Sequence, residues 1–308
     1  NLMSIVDTVY VGALGSNAGG NYGTAIGTNS QHNAYNTFSS YSNLNTSVGY
    51  ESLMGSSTPA ANTGNNNTAV GHQALTSNSS GFDNVAIGLG TLYLNQSGSR
   101  NTATGTNSLV NNSAGNDNTA YGYHALVVAA ANNNTAVGSY ASDGNTVGEN
   151  NTSLGTWALR SNQAGSGATA IGTSAMRYAN NTATPYGNTN TAVGFETLMG
   201  PPVPSGNTGL DNTAVGYRSI TANTNGFGNT GMGTGTLGSN TSGSNNTAVG
   251  RYSLFQNSAG SDNTALGNTS LIQNSSGNNN TAVGSQSLNV STGSNNTAVG
   301  MQALQSNT

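Results

Sequence analysis

Asn280-Thr281-Ala282-Val283-Gly284, with Leu288 four residues beyond the glycine, recurs sixteen residues later as Asn296-Thr297-Ala298-Val299-Gly300 with Leu304. Working outward from this pair, alignment on the closing glycine finds seventeen copies between Gly12 and Gly300. Nine of the sixteen spacings are 17 residues, two are 16, one is 15 and four are 22. A period this short and even marks a stack of coils rather than a globular domain.

Each column of the alignment has its own chemistry. Three residues before the glycine stands Thr in fifteen copies and Val, its near-isostere, in the others (Val9 and Val85). The next position is small, as in Ala69, Ala86 and Ala214, and the one after is usually Val, Ile or Leu. Both Thr and Val are β-branched and favour strands. The alternation predicts a short strand with Thr and Val on one face and Ala on the other. Four residues after the glycine runs a second apolar column that includes Leu75, Met176, Ile220 and Leu254. It is expected to lie on a second short strand. The remainder is Asn, Ser and Gly, as in residues 78–81 and 240–243, which is turn chemistry. Glycine in every coil and the absence of a 3.6-residue period exclude a helix.

The predicted fold is therefore all-β: a parallel β-solenoid, or β-roll, of about 17 coils, most of 17 residues with some of 22. Coils stacked about 4.8 Å apart place like residue on like residue. Asn, four residues before the glycine in fourteen copies, would then form a hydrogen-bonded amide ladder or simply suit the turn entering the strand. A longer repeat overlies the short one, because the segment from Thr24 to Gly55 matches Thr169 to Gly200 at an offset of 145 residues. Both copies carry a pair of 22-residue coils, with insertions at 56–63 and 201–208 expected as surface loops. Residues 1–20 read as an N-terminal segment that caps the first coil or reaches a neighbouring subunit, and residues 21–308 as one continuous solenoid domain.

Composition narrows the function classes. Only 5% of residues are charged, lysine is absent, and the five basic residues are Arg100, Arg160, Arg177, Arg218 and Arg251. Scattered arginines and a net charge of −4 argue against a nucleic-acid partner. Cysteine is absent, which removes disulfides and thiolate metal sites. No run of about 18 apolar residues is available to cross a membrane. The first residue is Asn1, which reads as a trimmed product, and residues 301–308 stop within a repeat, as a fragment or an end that stacks on another molecule.

The Thr-Ala-Val-Gly-x-x-Ser/Ala-Leu unit, from about Val9 to Leu304, resembles the head repeats of trimeric autotransporter adhesins. Its Asn-Asn-Thr-Ala-Val-Gly runs also look like shaft repeats of phage tail fibres and bacterial surface fibre proteins. This resemblance implies a left-handed roll assembled as a homotrimer, on a cell surface or in a virion tail fibre. Here the unit is usually 17 residues, longer than the adhesin repeat.

No catalytic, cofactor or metal constellation is expected. His32, His72 and His124 are isolated, the nine acidic residues are single, and Trp157 and the tyrosines fall in several columns. Asn-x-Ser/Thr triplets at Asn45, Asn66, Asn78, Asn111, Asn133, Asn240, Asn274 and Asn295 follow from repeat composition and are weak glycosylation signals. The leading expectation is a non-enzymatic, extracellular structural or adhesive fibre subunit. It would self-associate as a trimer or end to end, with a surface receptor or glycan as a further partner. The small Ala stripe would admit a neighbouring backbone, or else pack within its own coil. The alternative is an ice-binding solenoid that uses the Thr ladder. Against it, Thr shares its face with Val70 and its equivalents, which suggests that Thr points inward.

Overall fold

The structure is a computed structural model that describes residues 20–21, 23–33, 41–42, 44–58, 61–128, 131–179, 182–202 and 207–307. The copy closing at Gly12 and nearly all of the expected N-terminal cap lie outside the described residues. The chain divides into two compact units, Asn1–Thr146 and Val147–Thr308.

Each unit is a parallel β-solenoid. In the first, seven three-residue strands pair in sequence order, from Thr24–Ile26 to Thr135–Val137. In the second, nine such strands do the same, from Thr152–Leu154 to Thr297–Val299. Register is strictly like on like: Thr247 faces Thr264, Ala248 faces Ala265 and Val249 faces Leu266. No α-helix occurs among the described residues.

The long repeat is visible as an extra strand pair that joins the first 22-residue coil of each copy to the shorter coil before it. Gly20–Asn21 pairs with Tyr41–Ser42, and 145 residues on Gly165–Ser166 pairs with Tyr186–Gly187.

The two faces of the main strands are the reverse of the expectation from hydrophobicity. The Ala column is the core: Ala69, Ala86, Ala103, Ala214 and Ala248 are fully buried. Thr and Val point outward, with Ile87 41% and Leu154 45% exposed. The coil is too narrow to take branched side chains from this strand as well as leucines from the opposite wall. Of the two readings of the Ala stripe, packing within its own coil is the one observed.

The Leu column is also placed differently. Leu75, Leu92, Leu237 and Leu254 are fully buried, yet they lie in turns, not on a second strand. Their backbone is left-handed, with φ of 54° at Leu75 and 52° even at the β-branched Ile220. An L-residue there costs roughly 1–2 kcal/mol. Burying the Leu side chain contributes about 1.5–3 kcal/mol, so burial wins and the tight turn is tolerated. The closing glycines answer a different need. At Gly71, φ is +136° and a Cβ would sit 2.5 Å from the Gly88 carbonyl oxygen of the next coil. Only glycine allows the coils to stack at this point.

Asparagine completes the core. The column four residues before the glycine is almost entirely buried, and of the two readings offered for it the amide ladder is observed. Nδ2 of Asn84 donates to Asn67 Oδ1 at 3.0 Å and to the Gly98 carbonyl at 2.9 Å. Its Oδ1 accepts from the backbone N–H and Nδ2 of Asn101, at 3.0 and 3.1 Å. All four hydrogen-bonding positions of that amide are filled, as burial demands. A second ladder, in positions the sequence marks only as turn, runs seven residues after the glycine. Asn95 donates to Asn78 Oδ1 and Asn112 to Asn95 Oδ1, each at 2.9 Å. In the second unit Asn240, Asn257 and Asn274 continue in the same way from Asn223.

The second ladder ends at Asn112 and at Asn274, whose Oδ1 atoms are buried without a partner among the described residues. In each case the next coil is one of the two 16-residue coils, and its matching residue is Ala129 or Ser291 instead of Asn.

Candidate functional surface

Two columns form the outward face of the main sheet in each unit, and neither holds a charged residue. The first is Thr at every strand except Val85. The second is Val, Ile, Leu, Met or Tyr in fifteen of sixteen strands, with Thr104 the exception. Parallel in-register pairing holds both columns to one line, so the apolar side chains make a stripe that is unbroken in the second unit and interrupted at Thr104 in the first. Tyr121 (61% exposed) and Met232 (46%) carry the longest side chains in the second column and project beyond their Val, Ile and Leu neighbours.

Beside this face, two turns carry the charged and aromatic residues: the one just after the closing glycine, with Glu51, His72, Glu196 and Arg218, and the one just before the strand, with Asp83, Arg100 and Asp117. They gather into small clusters and are not scattered, because stacking brings residues one coil apart into contact. Tyr50 stacks on His72 at 5.1 Å, and Phe195 on Tyr217 at 5.5 Å. His124 lies against Tyr123 and Tyr140, and Arg177 sits 4.4 Å over Trp157. The signal for these clusters was present in the sequence as aromatic residues at matching positions of successive coils.

Charge is paired from one coil to the next in both turns. Arg100 bridges Asp117 at 2.6 Å, and Arg218 bridges Glu196 at 2.7 Å. The Arg100 guanidinium holds the Asp117 carboxyl below the usual range, and a hydrogen bond from Gln73 does the same for Glu51. Burial pushes the Tyr186 phenol up to about 12, and its hydroxyl donates to Asn162 Oδ1 at 3.0 Å. No group of three or more His, Asp or Glu among the described residues is placed to hold a metal ion.

Burial divides the Asn-x-Ser/Thr triplets. Asn45, Asn78, Asn240 and Asn274 are buried, whereas Asn66, Asn111, Asn133 and Asn295 are exposed. Only the exposed set can carry a glycan on the folded coil.

Comparison of the chain with protein-family models, with curated proteins and with solved structures finds no match.

Proposed function

We propose that this chain is a non-catalytic structural or adhesive subunit of an extracellular fibre, on a cell surface or a virion, whose copies pack through the outward Thr/apolar face. One observation carries the reading: the second outward column is apolar in fifteen of sixteen strands and uncharged throughout. Side chains such as Ile26, Ile87 and Leu154 stand two-fifths or more exposed there. Aligned apolar side chains exposed along a regular face gain free energy when a second surface removes them from water. Electron microscopy with mass determination over a range of concentrations tests the reading. Discrete assemblies of two or more chains, lost when Val70, Ile87 and Val137 are all replaced by Ser, are expected. A monodisperse monomer at every concentration would overturn it.

A second reading, ice binding, gains support from the outward Thr column, since Thr directed inward was the objection to it. The neighbouring column weighs against it, because Tyr121 and Met232 interrupt the flatness that an ordered water layer needs. A thermal-hysteresis assay on the same preparation decides between the two.

A further inference from the structure

The coil that begins at Gly233 differs from every other coil in having glycine both two and five residues beyond, at Gly235 and Gly238. Its neighbours have Arg218 and Thr221 on one side, and Tyr252 and Phe255 on the other. Tyr252 and Phe255 lean into the space these glycines leave, and a cleft of about 380 Å³ lies between them and Tyr217, Arg218 and Thr221. That volume is within the range of small-molecule sites, roughly 300–1,000 Å³.

The walls are aromatic and held in place. Tyr252 and Phe255 meet edge to face at 5.3 Å and 78°. Their rings lean over the glycines, so that a Cβ on Gly235 or Gly238 would come within 2.5 Å of them. Arg251 sits 4.6 Å from the Tyr252 ring centre, on a residue outside the cleft lining. Across the cleft, Tyr217 is backed by Phe195 in a near-parallel stack, 8° from coplanar. Arg218 is fixed by its Nε bond to Glu196, with its side chain still half exposed. The Thr221 hydroxyl donates to the Arg218 carbonyl at 2.7 Å, which leaves its oxygen free to accept. Preorganised walls reduce the ordering cost of binding.

We propose that this cleft binds a pyranose sugar, with one C–H face of the ring on Tyr252 or Phe255 and its hydroxyls on Arg218 and Thr221. The near-perpendicular rings offer no parallel-sided slot for a flat heterocycle. They do fit a puckered ring that is apolar on its face and polar at its rim. This supplies a ligand class for the adhesive part of the function proposed above, and sugar binding is measured separately from packing between copies.

Saturation-transfer NMR of the full chain with methyl glycosides of glucose, galactose and N-acetylglucosamine tests it. Transfer to ring protons of at least one glycoside is expected. Tyr252→Ala should weaken binding about fivefold, the scale of one lost aromatic contact. Phe255→Leu, which keeps the apolar volume and so the fold, should weaken it in the same direction. Tyr121→Ala, on the outward sheet face, should leave it unchanged. The proposal is overturned by no transfer from any of the three glycosides, or by transfer that Tyr252→Ala and Phe255→Leu do not alter. Absence of transfer combined with a change in sedimentation on Phe255→Leu would overturn it too, and assign the cleft to contact between copies.

Discussion

The loops at 56–63 and 201–208 occupy equivalent places in the long repeat, and each leans on one asparagine. In the first unit Asn62 donates to the carbonyls of Ser56 and Asn33, and its Oδ1 accepts from the Ser56 N–H and hydroxyl, each at 2.9 Å. In the second unit Asn207 donates in the same way to Pro201 and Tyr178. Its Oδ1, however, is buried with no partner among the described residues. The cause is one substitution between repeats: Pro201 stands where the first copy has Ser56, and proline has neither an N–H nor a hydroxyl. A buried acceptor without a donor costs about 1–3 kcal/mol, whereas the stiffness of proline returns only about 0.4–1 kcal/mol. A cavity of about 30 Å³ beside Asn207, bordered by Tyr186, Leu198 and Gly200, is large enough for a water molecule. The same coil geometry can thus be closed by different hydrogen-bond inventories, and the two are not equally stable.

The largest expected effect breaks the comparison outright. Asn62→Ala removes bonds in both directions and should lower stability by about 2–3 kcal/mol, on a scale of roughly 1 kcal/mol per net hydrogen bond. Asn207→Ala should cost about 1 kcal/mol, because it also deletes the orphaned oxygen. Urea denaturation of the full chain reads the difference, and equal losses would contradict the account.

Next in size, Pro201→Ser should make the second loop resemble the first and gain about 1 kcal/mol, with Ser56→Pro losing a similar amount. Because coils contact only their neighbours, both changes should appear locally. Amide exchange at Gly55 and Gly200, whose N–H groups donate to Thr76 and Thr221, is the sensitive measurement.

A further effect shows itself only in alkali. Tyr186 borders the cavity, and burial raises its folded pKa to about 12 from 10.0. Its stabilising contribution is fully present below pH 10 and is lost as pH rises through about 12, since the unfolded state releases the proton first. A pH titration of stability should fall in that window for the native chain, and fall less for Tyr186→Phe.

Much of this was legible in the repeat. Spacing alone predicts parallel, in-register coils, since like residues recur at one height, and the Asn column offers the first ladder as one of two readings, the other being a turn preference. Which face of Thr-Ala-Val points inward was misread, because hydrophobicity favours Val over Ala for a core. Parity held the missing clue: Asn67 and Ala69 are two residues apart, so a buried Asn ladder requires a buried Ala. The second ladder was hidden because Asn, Ser and Gly have the same composition in an exposed turn and in a buried one. The aromatic clusters were legible only where aromatic residues recur at matching positions, as at Tyr50 and His72 or Phe195 and Tyr217; contacts between unlike positions, such as Arg177 over Trp157, depend on how the turn aims its side chains.

What the sequence determined by itself was periodicity: the all-β class, the length of each coil, the like-on-like register and the 145-residue super-repeat. These follow from local preferences repeated many times, so each copy reinforces the same answer. Tertiary structure alone decided the direction of each face, the left-handed leucines and the cleft over Gly235 and Gly238. Those depend on how much room two walls leave between them, and volume is a property of the stacked coil, not of any single repeat.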